Sequence, residues 1–172
     1  VVSGLTAGNI YQFQWTITGS GSCPPSSNTV TITDDLPPVG GTTSGIAEVC
    51  SGGNAGQVTL SGQFGSVARW EFSVNGGVTW QPIANTAVTQ SYLNLTQTTE
   101  YRAILHNGNV CADVPSTATT ITVDPQPVAA NAGPNDEVCS VTTYTLQGNS
   151  PLPDAGKWTQ VSGPGGATFS DD

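Results

Sequence analysis

The two ends of this 172-residue chain are halves of one domain type, placed on either side of a complete and different domain. Residues 130–172 carry an opening, NAGPNDEVC, a strand-like TYTLQG and the run WTQVSGPGGATFS. Residues 1–33 carry a closing, SGLTAGNIYQFQWTI, followed by a cysteine and the strand TVTIT. Joined tail to head they make a module of about 82 residues, here module A, and residues 36–125 make a second of about 90, module B. The expected organisation is therefore 1–35 as the C-terminal half of an A module, 36–125 as a whole B module, and 126–172 as the N-terminal half of the next A module. Such a chain reads as one period of a longer array.

Cysteine spacing follows the same period. Cys139 lies 89 residues after Cys50, and Cys23 lies 88 residues before Cys111, so each A half carries the counterpart of one cysteine of B. This spacing predicts an intradomain Cys50–Cys111 disulfide, with Cys23 and Cys139 each pairing to the complementary half of an A module in a neighbouring repeat. Oxidised cysteines belong outside the cytoplasm. No two cysteines are closely spaced and His106 is the only histidine, which disfavours a zinc site. The string LT-x4-Y recurs with identical spacing, as Leu5, Thr6 and Tyr11 in the A half and as Leu95, Thr96 and Tyr101 in B. In sandwich folds a tyrosine at this corner ties its hydroxyl to backbone a few residues upstream, so Tyr11 and Tyr101 are expected to be structural.

Apolar residues alternate with period two, in Tyr11–Phe13–Trp15–Ile17, Val58–Leu60, Trp70–Phe72–Val74, Tyr101–Ala103–Leu105 and Ile121–Val123. No window shows helical spacing. Short strands about ten residues apart, with Gly, Asn and Pro between them, predict an all-β fold of tandem sandwiches, the terminal module split across the chain ends. The chain has 3 Lys and Arg against 12 acids, a net charge of −9. That balance argues against nucleic acid, which needs clustered cations, and against an anionic membrane surface. It suits a soluble, self-repelling polymer. Prolines at 37, 38, 125 and 127 predict stiff, extended linkers. Successive modules joined in this way would touch mainly their neighbours, head to tail.

Local motifs with a functional reading also have a structural one. Ser73–Trp80, SVNGGVTW, resembles the S-x-D-x-G-x-T-W hairpin motif of sialidases and other propellers, with Asn75 in place of the aspartate. Asn75–Gly76 suits a tight turn, and Trp70 and Trp80 are expected to flank it across the two strands. Trp80 with Tyr92 is the candidate glycan platform, although paired aromatics around a hairpin more often serve packing. The acidic pairs Asp34–Asp35, Asp136–Glu137 and Asp171–Asp172 are the candidate calcium ligands; no spaced calcium loop accompanies them, which favours solvated edges. For catalysis there is no base beside a nucleophile. His106 reads as an exposed loop residue, and no catalytic residue or cofactor is expected.

NAGPNDEVC, WTQVSGPGGATFS, SGLTAGNIYQFQWTI and the B-type GQVTLSG, VARWEFSVNGGVTWQPI and LTQTTEYRA, in this order when the chain is read tail to head, resemble the alternating repeats of giant surface adhesins in Bacteroidota. Those repeats are immunoglobulin-like and PKD-like, and the adhesins include gliding-motility adhesins of the SprB type. The resemblance covers nearly the whole chain. It implies tandem immunoglobulin-like β-sandwiches, with A as the PKD-like type, export by the type IX secretion system, and display on the cell surface as filaments for attachment or gliding. The expected partners are neighbouring copies of the repeat, and surface glycans or a substratum. Two other readings stay open: a carbohydrate-binding accessory module of a secreted enzyme, and a subunit of a non-covalent, strand-complemented fibre.

Overall fold

A computed structural model describes residues 1–152 and 154–170. Among them lie eleven strands, β1(Asn9–Ile17), β2(Ser26–Asp34), β3(Thr42–Ser44), β4(Glu48–Cys50), β5(Ala55–Ser61), β6(Ser66–Ser73), β7(Gln81–Ile83), β8(Thr89–Leu93), β9(Thr99–His106), β10(Val114–Pro115) and β11(Thr119–Asp124). Among the described residues no helix is long and apolar enough to cross a membrane. The protein is all-β, as the period-two pattern predicts. It divides into two compact units, Val1–Pro125 and a second beginning at Gln126, so residues 1–35 and 36–125 fall in one unit.

Strands β3–β11 form two sheets. One has the order β4-β11-β9-β6-β7, with β10 also paired to β9; the other has the order β3-β5-β8. The larger sheet is antiparallel except for the parallel β4–β11 pair, and β4 carries Glu48 to Cys50 alongside Thr122 to Asp124. Each inner face follows from alternation. On β9, Tyr101, Ala103 and Leu105 point inward, and on β5 Val58 and Leu60 meet them from the other sheet. Trp70, Tyr92 and Ile121 complete the core, and Trp70 is 0% exposed. Large apolar side chains buried in this way stabilise a fold by about 1.5–3 kcal/mol each, and they sit in the two facing sheets of a sandwich. A bulge between Val67 and Arg69 shifts the parity of β6, so Val67 and Trp70 both face the core although three positions apart. Between β10 and β11 the sheet is carried by Ser116, whose N–H donates to Ala103 O at 2.8 Å while its Oγ accepts from Ala103 N at 2.9 Å.

Strands β1 and β2 form a separate two-stranded antiparallel ribbon. Asp34 ends it, and the following segment runs along the sandwich: Asn107 Nδ2 donates to Leu36 O at 2.8 Å, and Pro38 is buried. In the second unit no strand is present among the described residues. Asn131 and Asn149 hold two of its segments together, through Asn149 N–H to Asn131 O at 2.9 Å and Asn131 N–H to Asn149 Oδ1 at 2.7 Å.

Candidate assembly interface

The ribbon has two unlike faces because directly opposed residues of an antiparallel pair share a face. Tyr11 opposes Ile32 and Phe13 opposes Val30, and with Trp15 and Ile17 they make one apolar face. The other face carries Gln12 with Thr31 and Gln14 with Thr29. The apolar face is uncovered: Trp15 is 74% exposed, and Ile17, Val30 and Ile32 are exposed as well. Tyr11 and Phe13 stack along it with centroids 6.3 Å apart. At its base Tyr11 OH accepts from Thr6 N at 2.9 Å, and Asn9 Nδ2 donates to Thr6 O at 3.1 Å. Two strands without a covering layer are marginal alone.

Module B contains the covered version of this face. Aligning Leu5–Thr6–Tyr11 with Leu95–Thr96–Tyr101 sets Tyr11, Phe13 and Trp15 on Tyr101, Ala103 and Leu105. In B those three are buried beneath β5 and β8. The sequence in residues 126–172 that matches β5 is TYTLQG, where Tyr144 and Leu146 stand for Val58 and Leu60; both are exposed in the second unit, as are Trp158 and Phe169. Residues 1–35 and 126–172 thus each expose apolar side chains at positions whose sequence counterparts in residues 36–125 are buried.

The outer face of the larger sheet holds a row of charges. Glu71 is 7% exposed and lies between two guanidinium groups. Arg69 Nε and Arg102 Nε donate to its two carboxylate oxygens at 2.9 and 2.8 Å. Arg102 also lies 4.0 Å over the Trp80 ring, a cation–π contact. Arg69 continues to Asp113 at 3.3 Å, and the Asp113 carboxylate accepts from His106 Nδ1 at 2.8 Å. The bond to His106, helped by Arg69, holds the Asp113 carboxyl below the usual carboxylate range. Two of the three cations and the only histidine are engaged in this row. His106 is accordingly the last residue of β9, with a carboxylate partner, rather than a free loop histidine. Sequence reasoning missed the row because its members come from β6, β9 and the segment before β10.

Several expected sites are placed differently. The Cys50–Cys111 disulfide is not formed, since both are free thiols. Cys50 ends β4 beside Asp124, whereas Cys111 follows the far end of β9. The eight residues of β9 alone separate those ends by about 23 Å at 3.3 Å per residue, against the 4–7 Å between Cα atoms that a disulfide needs. Cys23 and Cys139 are also free and exposed. The glycan platform is corrected too: Tyr92 is buried, its ring stacked 6.2 Å from Tyr101, while Trp80 lies on the other sheet beneath Arg102. Nor do Trp70 and Trp80 flank the hairpin together. Trp70 opposes Ile83 and donates from Nε1 to Ala87 O at 2.9 Å. The hairpin loop takes its positive φ at Gly76 and Gly77, not at Asn75. Asn75 instead closes the loop by side chain, with Oδ1 accepting from Thr79 N at 2.9 Å.

Tyr101 makes no hydroxyl bond to upstream backbone among the described residues, unlike Tyr11; burial pushes its phenol up, with the neighbouring Tyr92 adding to the effect. Of the acidic pairs, Asp34 opposes Asn9 in the ribbon, and Asp136 accepts from Tyr144 OH at 2.7 Å. Asp171 and Asp172 lie outside the described residues. No group of three or more metal-ligating side chains converges among the described residues.

An uncovered ribbon beside a two-sheet sandwich, with a polar and engaged outer face, defines an all-β protein whose distinctive surface is the exposed apolar face of β1–β2. Residues 39–125 match the family described as a domain of unknown function, DUF8696. The chain belongs to that family, and the matched segment is the complete sandwich. No curated protein matches the chain.

Proposed function

We propose that this chain is a structural repeat unit of a long extracellular surface filament or adhesin, with immunoglobulin-like sandwiches as shaft and spacer for attachment or gliding. The observation that carries the reading is the apolar face of β1–β2. Its residues match buried positions of module B, and the residues that would cover it recur, exposed, in 126–172 of the same chain. A ribbon and a covering half of the same module type, at opposite ends, join copies head to tail. In this reading the chain has no catalytic role and takes no cofactor. Its partners are other copies of the repeat, and the surface that the filament touches.

The carbohydrate-binding reading loses its proposed platform with the burial of Tyr92. The non-covalent fibre differs from a covalent array only in whether successive copies share one polypeptide. Denaturing electrophoresis of native material, with and without reductant, separates them, alongside electron microscopy of the undenatured sample. The expected outcome is a very large polypeptide that survives reduction and forms periodic filaments. A species of 17.5 kDa in reductant means subunit polymerisation if the native sample is filamentous. If no filaments are present, the repeat-unit reading is lost.

A further inference from the structure

We infer that the four cysteines form disulfides across module boundaries: Cys111 of one repeat with Cys139 of the preceding repeat, and Cys50 with Cys23 of the following one. This rests on the repeat-unit reading and extends it to the residues that lock one module to the next. The first observation is where the two cysteines of B sit. Cys50 opposes Asp124, the last residue of the final strand of B. Cys111 touches the segment leading into B, its Sγ 3.8 Å from Asp35 O and 3.7 Å from Leu36 O. One cysteine marks the C-terminal boundary of the sandwich and the other its N-terminal boundary.

The second observation is that module A carries the same arrangement. Cys139 is the counterpart of Cys50, so in a completed A module it lies beside the end of the final strand, which is Asp34 at the end of β2. The next residues are Asp35 and Leu36, against which Cys111 already rests. Cys23 is the counterpart of Cys111 and sits in the loop at the ribbon tip, at the opposite end from Asp34. It therefore marks the N-terminal boundary of A, where the preceding B module ends at Asp124 and Cys50. At every boundary an early cysteine of the upstream module meets a late cysteine of the downstream one, and no thiol is left over.

The scaffold around Cys50 is built to hold it. Asn54 Nδ2 donates to Cys50 O at 2.7 Å and to Leu95 O at 2.8 Å, and Ser51 N–H donates to Asp124 O at 2.7 Å. Each bond forms by thiol–disulfide exchange with an oxidised disulfide donor. Two protein thiols lose two electrons and two protons, and the donor's disulfide is reduced to two thiols.

The test is a tandem of two full copies, Asp172 joined to Val1, oxidised with glutathione disulfide, alkylated and cut with trypsin without reduction. Arg69, Arg102 and Lys157 place Cys23 and Cys50 on one peptide type, residues 1–69, and Cys111 and Cys139 on another, residues 103–157. The expected products join like to like: the first copy's 1–69 to the second copy's 1–69, carried on the junction peptide, and the two 103–157 peptides to each other. Cys111→Ser in the second copy should remove only the latter product. Any dominant link between a 1–69 and a 103–157 peptide, or no link at all, overturns the inference. Hydrogen exchange of Tyr11–Ile17 shows what falls with it. If the second copy's ribbon is protected relative to the first's, the repeat reading stands without these disulfides; if the two exchange alike, both are lost.

Discussion

Tyr92 carries the plainest residue-scale consequence of the sandwich. Its hydroxyl is buried with no partner, and a buried polar group left unpaired costs about 1–3 kcal/mol. Tyr92→Phe is therefore expected to stabilise the protein by about 1 kcal/mol in denaturant unfolding, and a destabilised variant would show that the hydroxyl has a partner in solution. The ring fits because Gly56 opposes it across β5 and β8; a Cβ there would collide with the Tyr92 ring and hydroxyl, so Gly56→Ala should destabilise. Neither property was legible in the sequence, where Tyr92 read as an exposed partner for Trp80. Alternation assigns a residue to one of two faces, and only the second sheet shows which face is covered. Asp113 carries a pH dependence. Its carboxyl is held below the ordinary carboxylate range by His106 and Arg69, so the folded state binds its proton more weakly than the unfolded chain does. The stability it contributes is full above the ordinary carboxylate range and is lost as pH falls through the lowered value. Acid titration of Asp113→Asn should lack that part of the wild-type loss, and identical profiles would remove Asp113 from the account.

At the scale of elements, β1–β2 is, among the described residues, the one strand pair whose apolar face is covered by nothing in its own unit. Its strand character was readable from Tyr11, Phe13, Trp15 and Ile17, and its kinship with β9 from the repeated LT-x4-Y. What the spacing left open was the placement of the cysteines: offsets of 89 and 88 residues mark Cys23 and Cys111 as counterparts in sequence, but not which end of a sandwich they occupy. That depends on strand direction, and the antiparallel run of β9 against β11 puts Cys111 and Cys50 at opposite ends. The bulge at Val67–Arg69 escaped for a related reason, because an inserted residue breaks the period on which the reading depends. The ribbon also supports a direct test. Burying an aromatic side chain is worth about 1.5–3 kcal/mol, so Trp15→Ser should weaken association between copies by roughly 10- to 100-fold. Association is measured by sedimentation-equilibrium ultracentrifugation of the full chain. The thermal unfolding of the sandwich should not change, since Trp15 lies outside its core. Unaltered association would mean that the apolar face is not the contact.

For the whole molecule, the deciding fact is where the core begins and ends. Every buried residue of the hydrophobic cluster lies between Val58 and Ile121, and the ribbon supplies none of them. The family match covers this same stretch with its flanks, residues 39–125. The ribbon reaches the sandwich mainly through the linker, with Asn107 on Leu36 O and Cys111 against Asp35 and Leu36. A fragment of residues 36–125 keeps the Asn107 bond to Leu36 and loses only what lies before it. A few exposed hydrogen bonds and close contacts of this kind amount to about 1 kcal/mol, which for a domain of this size shifts the unfolding midpoint by roughly 4–8 °C. The fragment should then unfold cooperatively in calorimetry, within that interval of the full chain's main transition. A fragment without a cooperative transition would mean that β1–β2 belongs to the sandwich's own folding unit. The ribbon would then be bound to its own module and not available to the next copy, and the head-to-tail scheme would lose its physical basis.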